Sequence, residues 1–446
     1  MKRFSILTIL GLLAAGVSGH AADNSQLPST LPKIWTAEQA VAFALAENPD
    51  STIAQKRIEQ AVAAAIIANS TDYPLVNVSS EYGQTNNPMY SFGTILNQGA
   101  FDNNIDFNDP GRTDNLQIKA QLNYRLYNGG RDLADQSAAQ ANVNISENDL
   151  VSVHQRLGFE VVKTFLAIIQ AEQMVTVRKE ALASITAALE VGKARYDAGS
   201  LLKQDLLNLE LQQSRASENL IQSEHTLELT KRIFLNLLGL REGNVTIDPD
   251  CTLDQIIPIT FDYRNHHQLK RLEAIEQVAI AEVKKAHGGK LPTVDAFASY
   301  QMDGGSVLGD TGDSWMAGVK MNYLLFDGRR SSSEITIAQL KLQEIQSLRK
   351  KTELALNLEV QKALLDFEQA KKRLTVTDKM VAVATEVILI SRARFTEGVI
   401  LASDLIDFEM RLSDAQARHF AAKAGYQVSI ANMRRAAGLE QFSKKL

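Results

Sequence analysis

The chain has 446 residues, 22% of them charged, a formal net charge of -5 and one cysteine, Cys251. A lone thiol excludes an intrachain disulfide framework, and a mildly acidic balance argues against nucleic acid as a partner. The length would allow two or three ordinary domains, but the order of elements along the chain sets a different count.

The N-terminus, MKRFSILTILGLLAAGVSGHAAD, sets Lys2 and Arg3 ahead of an apolar run from Phe4 to Val17 and then small residues. This pattern predicts a secretory signal peptide over 1–22, cleaved after Ala21 or Ala22 and too short for a permanent anchor. An uncleaved N-terminal anchor is the alternative. Cleavage removes Lys2 and Arg3 and takes the formal charge from -5 to -7. Cys251 is far from the cleavage site, so no lipid attaches there, and it reads as a buried, unreactive thiol. No later apolar run is long enough for a membrane helix, so any crossing of a bilayer falls to strands.

Thr36 with Gln39 predicts a capping box at the first helix. Asn48-Pro49 breaks that helix before a second helical segment to about Ser70. The period then changes to two. A strand begins after Pro74 with Val76, Val78 and Tyr82 on one face. The next stretch, QTNNPMYSFGTILNQGAFDNNIDFNDPGRTDN, reads as a long exposed loop at the cell surface, rich in Asn, Asp, Gly and Pro. From Leu116 the apolar row Leu116, Ile118, Ala120, Leu122, Tyr124 and Leu126 alternates with Gln117, Lys119, Gln121, Asn123 and Arg125. That row is long enough to cross a bilayer as a tilted strand. A soluble, half-buried hairpin gives the same alternation. The export signal, and aromatic residues near the strand ends, favour membrane strands.

Arg131 to Tyr196 holds no proline, and about 65 residues of helix reach roughly 100 Å. Its seam of Leu150, Val153, Leu157, Val161 and Phe165 needs a partner helix. After Gly199, a second seam runs Leu202, Leu206, Leu209, Gln213, Ala216, Leu220, Ser223, Leu227, Thr230, Phe234 and Leu237. The spacing of about 3.5 predicts coiled coil.

The chain is then written again. YRLYNGGRDLADQSAAQANVN from Tyr124 overlays YLLFDGRRSSSEITIAQLKLQ from Tyr323, an offset of 199. The same offset sets ARYDAGSLLKQDLLN on ARFTEGVILASDLID and LLGL, ending at Leu240, on AAGL, ending at Leu439. Upstream the offset is 218, with Pro74 on Pro292 and Tyr82 on Tyr300, so 218 less 199 leaves a 19-residue insertion in the first copy between Tyr82 and Tyr124. In the second copy Val294, Ala296, Ala298 and Tyr300 line one strand; Trp315, Ala317, Val319, Met321, Tyr323 and Leu325 line the other. Each copy reads helix, strand, loop, strand, long helix, long helix. Four strands cannot close a barrel, because lipid tolerates no open edge. The chain must pool strands with copies of itself.

The ordered set of TAEQAVAFALAENPD, a proline before each first strand, the corners YNGGR and FDGRR, the breaks ARYDAGSLLKQDLL and ARFTEGVILASDLID, and the ends LLGL and AAGL resembles the TolC-like outer membrane efflux protein family across nearly all of the mature chain. The resemblance implies a mainly α protein with a membrane β-barrel. Four strands per chain would be pooled in a homotrimer into twelve, continuous with a long helical tunnel in the periplasm. It implies a gated exit duct of a tripartite efflux or type I secretion system, set in outer-membrane lipid, with a periplasmic adaptor (membrane fusion) protein and an inner-membrane transporter as partners. No enzyme chemistry and no cofactor are expected. The division is a signal peptide at 1–22, a first repeat at 23–240, a linker at 241–262 in the equatorial region, a second repeat at 263–440 and a tail at 441–446. A non-channel coiled-coil scaffold, periplasmic or on the surface, is the alternative. A free-standing porin is disfavoured because it needs many strands in one chain and no coiled coil.

Gly129, Gly130 and Gly328 are expected to turn strand directly into helix. Gly199 and Gly398 are expected at the periplasmic tip, where the adaptor docks. By resemblance, Asp404 and Asp407 match the family's acidic rings at the tunnel entrance, and Asp205, which with Asn208 holds the corresponding place in the first copy, is expected at the same constriction; a solvated helix face is the plainer reading. The sequence departs from the family at Ile400, where some members carry a latching arginine, and at Phe395, where they carry tyrosine. Lys203 with Asp205 could supply another latch. His266-His267 reads as a surface pair, not a metal site, since adjacent side chains diverge. Ser331-Ser332-Ser333 reads as a helix start.

Overall fold

The computed structural model describes residues 32–247, 257 and 263–442. The signal segment, Cys251, most of the 241–262 linker and the end of the tail lie outside the described residues. The first copy runs α1 (Ala37–Glu47), α2 (Pro49–Asn69), β1 (Leu75–Thr85), α3 (Pro88–Asn97), β2 (Thr113–Tyr127), α4 (Arg131–Asp197) and α5 (Lys203–Leu237). The second runs α6 (His267–Gly288), β3 (Thr293–Gly304), β4 (Thr311–Asn322), α7 (Arg330–Thr396) and α8 (Ala402–Ala436). No helix among the described residues is long and apolar enough to cross a membrane.

The duplication is carried to the residue. Arg131 and Arg330, Asp197 and Thr396, Lys203 and Ala402, and Leu237 and Ala436 begin or end equivalent helices, and each pair is 199 apart. The Thr36 hydroxyl accepts the Gln39 amide at 3.3 Å, and the Asn48 side chain accepts the Asp50 amide at 2.8 Å with Pro49 in the first turn. Both are local devices that satisfy amides a helix start leaves free.

α4 is the spine, packed against α1, α2, α5, α6 and α8, while α7 packs on α6 and α8. The main core gathers Trp35, Leu157, Val161, Phe165, Phe234 and Leu238 at mid-body. Trp35 meets Phe43 and Phe234 edge-on, and its amide pairs with the Thr246 carbonyl beside a Trp35–Ile247 bridge. Every position of the α5 seam from Leu206 to Leu237 is buried or half-buried.

Each repeat also closes on itself at mid-body. Gly239 follows α5 with φ 79°, and a side chain there would meet the Glu47 carbonyl oxygen at 2.9 Å and Asn48. Gly438 follows α8 with φ 72° and lies against His266. Asn48 and His266 are themselves the N-caps of α2 and α6. The start of one helix in each copy therefore rests on the end of another.

The strands form one antiparallel sheet in the order β1-β2-β3-β4. Register sets Val78, Ala120, Tyr300 and Trp315 in one row and Val76, Leu122, Ala298 and Ala317 in the next. On the other face Ser79, Lys119, Gln301 and Ser314 align, as do Glu81, Gln117, Asp303 and Gly312. The apolar face is bare: Val78, Ile118, Trp315 and Val319 are exposed.

Three expectations need correction. The loop after β1 is not free coil; it contains α3, capped by Asn87 and started by Pro88, and Phe92, Phe101 and Phe107 cluster in it. β4 stops at Asn322, leaving Tyr323 and Leu325 beyond the strand, because its partner β3 begins only at Thr293, which pairs with Asn322 and follows Pro292. His266 is not at the surface. It is buried, and its Nδ1 accepts the Gln268 amide at 3.2 Å.

Candidate functional site

The tip is built from two equivalent turns. After α4 the Gly199 amide donates to the Tyr196 carbonyl and Ser200 to Arg195; after α7, Gly398 donates to Phe395 and Val399 to Arg394. Gly199 and Gly398 have φ of 71° and 78°, the left-handed geometry this helix end requires. A small core of Ile185, Leu189, Leu209, Ile388, Phe395 and Leu405 ties the two turns together, with Ile400 packed against it.

α5 and α8 start without a side-chain cap, because leucines, Leu202 and Leu401, occupy the capping positions. Asp205 and Asp404 lie in the first turns at equivalent positions, 199 residues apart. There a carboxylate stabilises the positive end of a helix. Asp404 is exposed, whereas Asp205 and Asp407 are half-buried. Asp407 pairs with Arg411 one turn on at 2.7 Å, and the guanidinium of Arg411 lies over Phe408. Lys203 and Asp205 form no ion pair among the described residues.

One carboxylate at the tip had no local signature. Glu409 accepts two bonds from Arg392, at 2.7 and 3.0 Å, and a third from the Ser184 hydroxyl at 2.5 Å. It joins α4, α7 and α8 with its side chain only 11% exposed. The hydrogen bond to Glu409 raises the Arg392 pKa above its ordinary value, against partial burial. Its partners are 17 and 225 residues away, so no spacing pattern could reveal it.

At the opposite end of the long helices, Gly129 and Gly130 have φ of 75° and 78°, and Gly328 and Arg329 have 65° and 74°. Asn128 accepts the Asp132 amide, and Asp327 accepts the Ser331 amide and hydroxyl. Those bonds hold the Asp327 carboxyl below its ordinary pKa. No group of three or more His, Cys, Asp or Glu suited to a metal occurs among the described residues.

The family model described as "Outer membrane efflux protein" matches residues 41–239 and 263–439, once in each copy. The outer membrane efflux protein BepC of Brucella suis biovar 1 is 22% identical over 227 residues, 49% of this chain and 49% of that protein, so the alignment spans about half of that relative. Nodulation protein T of Rhizobium leguminosarum bv. trifolii is 21% identical over 393 residues, 84% of this chain and 79% of that one. Among solved structures, the CmeC outer membrane channel of Campylobacter jejuni superposes with a TM-score of 0.78 at 15% identity, covering 92% of this chain and 87% of that one. At that identity the likeness establishes the fold: a mainly helical body carrying a small antiparallel sheet. The chain belongs to the outer membrane efflux protein family and is an outer-membrane protein that shares the fold of the solved outer membrane channels.

Proposed function

We propose that this chain is the exit duct of a tripartite efflux or type I secretion machine, a homotrimer that closes a twelve-stranded barrel above a helical tunnel. The observation that carries the reading is the sheet: β1 and β4 are both free edges, and the apolar row beside them is bare. A bilayer rejects such edges, since each unpaired backbone group costs several kcal/mol there; pairing β4 of one copy with β1 of the next removes them all. The long helices carry a matching deficit, with Leu207, Leu211, Ile221, Leu354, Leu358 and Leu365 exposed.

In this reading 23–240 and 263–440 are the two structural repeats. The tip with Gly199 and Gly398 docks a periplasmic adaptor that links an inner-membrane transporter. Exposed Leu202, Val399 and Leu401 support an apolar contact there. Asp404, Asp407 and Asp205 line the entrance, where copies around a threefold axis would bring them together. Extraction from the outer-membrane fraction, followed by a mass measurement, tests it. A trimer is expected, with adaptor captured by crosslinkers placed beside Gly199 or Gly398. A soluble monomeric rod would instead support a scaffold.

A further inference from the structure

The α3 segment is attached to one particular face of the sheet. Gln98 is fully buried, and its amide nitrogen donates to the Asp114 carbonyl at 2.7 Å and to the Asn115 side chain at 3.0 Å. Asn115 in turn donates to Asp303 at 2.6 Å, and Gln117 and Gln301 reach the same carboxylate at 3.1 and 3.0 Å. Asp303 and Gln117 belong to the polar row that ends at Gly312. Gly312 is bare because α3 lies on it: a methyl there would sit 2.0 Å from the Asn97 carbonyl oxygen. Gly305, in the β3–β4 turn, is pressed the same way against Asp114 and the Gln98 amide nitrogen.

The side chains of Ser91 and Ile95 are buried, whereas Met89 and Tyr90 on the same helix are 81% and 69% exposed. The insertion peculiar to the first copy thus folds over the polar face at the end of the sheet remote from the long helices, instead of standing away from the strands.

We propose that the α3 segment is an inward-folded constriction at the outer mouth of the duct, held on the lumen wall by Gln98 and by the bare faces of Gly305 and Gly312, and that it limits the size of what leaves the channel. This rests on the barrel reading above, in which the polar face lines the lumen. Pore-lining groups of this kind set conductance and selectivity through diameter and polarity. The second copy has only the short β3–β4 turn, so a trimer would carry three such segments around the mouth.

The test uses single-channel currents of the full chain in planar bilayers, in a Cys251→Ser background. Replacing residues 86–112 with the second copy's turn sequence, GSVLGD, should raise conductance about two-fold or more. Gly312→Val, which pushes α3 off its seat, and Gln98→Ala should move it the same way. A cysteine at Met89, labelled from outside with a bulky impermeant thiol reagent, should reduce current. A cysteine at Lys119, on the polar row below, tests the barrel itself. If Lys119→Cys labelling blocks current while the exchange and the Met89 label leave it unchanged, the constriction is wrong and the barrel stands. If Leu122→Cys labels from the aqueous pore and Lys119→Cys does not, the faces are reversed and both readings fall.

Discussion

The guanidinium of Arg195 donates to the backbone carbonyl of Phe395 at 3.0 Å and covers its ring with a centroid distance of 5.4 Å. One residue at the end of α4 thus adds a second bond to a carbonyl at the end of α7 that already accepts the Gly398 amide, and it shields the largest buried side chain of the tip core. Two repeats that could splay are fastened at their far ends. Arg195→Ala should cost about 1.5–3 kcal/mol, the range for a hydrogen bond to a charged group. Phe395→Ala should cost about 3–5 kcal/mol through the cavity it leaves. Chemical denaturation of the detergent-extracted protein measures both; a Phe395→Ala loss smaller than that of Arg195→Ala would contradict the packing described.

The two faces of β2 give opposite responses to charge. Leu122 lies between Val76 and Ala298 in an apolar row, and Gln121 lies between Asn77 and Ser299 in a polar one. Leu122→Arg should impair assembly by about 2–4 kcal/mol if near the bilayer midplane, and Gln121→Arg should be mild. The yield of heat-resistant oligomer in the outer membrane reports the difference, and equal losses would reject the face assignment.

Asp404 and Asp407 should govern ion passage at the entrance. Converging carboxylates focus negative potential and concentrate cations. Reconstituted channels should prefer cations and be blocked by a multivalent cation from the periplasmic side. The double change to alanine should relieve that block while leaving the oligomer intact; a mutant that blocks as the parent does would remove these residues from the lumen.

Arg329 holds a left-handed backbone that its counterpart Gly130 adopts freely. For a residue with a side chain that geometry costs roughly 1–2 kcal/mol. Arg329→Gly should therefore raise thermal stability slightly. Gly130→Ala should lower it by a similar amount, and Gly129→Ala should lower it further, since a methyl there would lie 2.4 Å from the Gly288 carbonyl oxygen. The order of melting temperatures is the check.

His266 supplies a pH dependence. Burial lowers its pKa below the ordinary 6.5, reinforced by His267 and Arg435 and opposed by Glu359. Its Nδ1 accepts the Gln268 amide, a role that protonation removes. Because the folded pKa is the lower one, this stabilisation is present above the unfolded value, about 6.5, and is lost as pH falls toward the folded one. Burial shifts His154 and His267 the same way. Melting temperature should fall on acidification below about pH 6.5. His266→Asn, which keeps a capping side chain, should flatten the curve; an unchanged slope would exclude His266 as a source.

The long helices and the sheet were legible because their signals are periodic and occur twice. The α5 seam, the 3.5 spacing and the 199-residue offset all survive in three dimensions. α3 was missed for a compositional reason: its neighbours are Asn, Asp and Gly, which mask a helix only 10 residues long. Asn87 before Pro88 was nevertheless a readable start. Glu409 and Arg195 were invisible because their partners come from other helices, at separations of 17, 225 and 200 residues that match no helical or strand period. His266 misled because two adjacent histidines look exposed, whereas one of them is an N-cap pressed against Gly438.

Equal helix lengths in the two copies, 67 residues for α4 and α7 and 35 for α5 and α8, make length itself a paired trait. Deleting one residue from α4 would draw its tip back by about 1.5 Å and rotate everything beyond it by about 100°. Gly199 would then lag behind Gly398, and the seam against α5 would point to solvent. Evolution can lengthen or shorten such a body only by matched steps in all four helices, so an isolated single-residue gap in one of them should be far rarer among relatives than substitutions that leave every length alone.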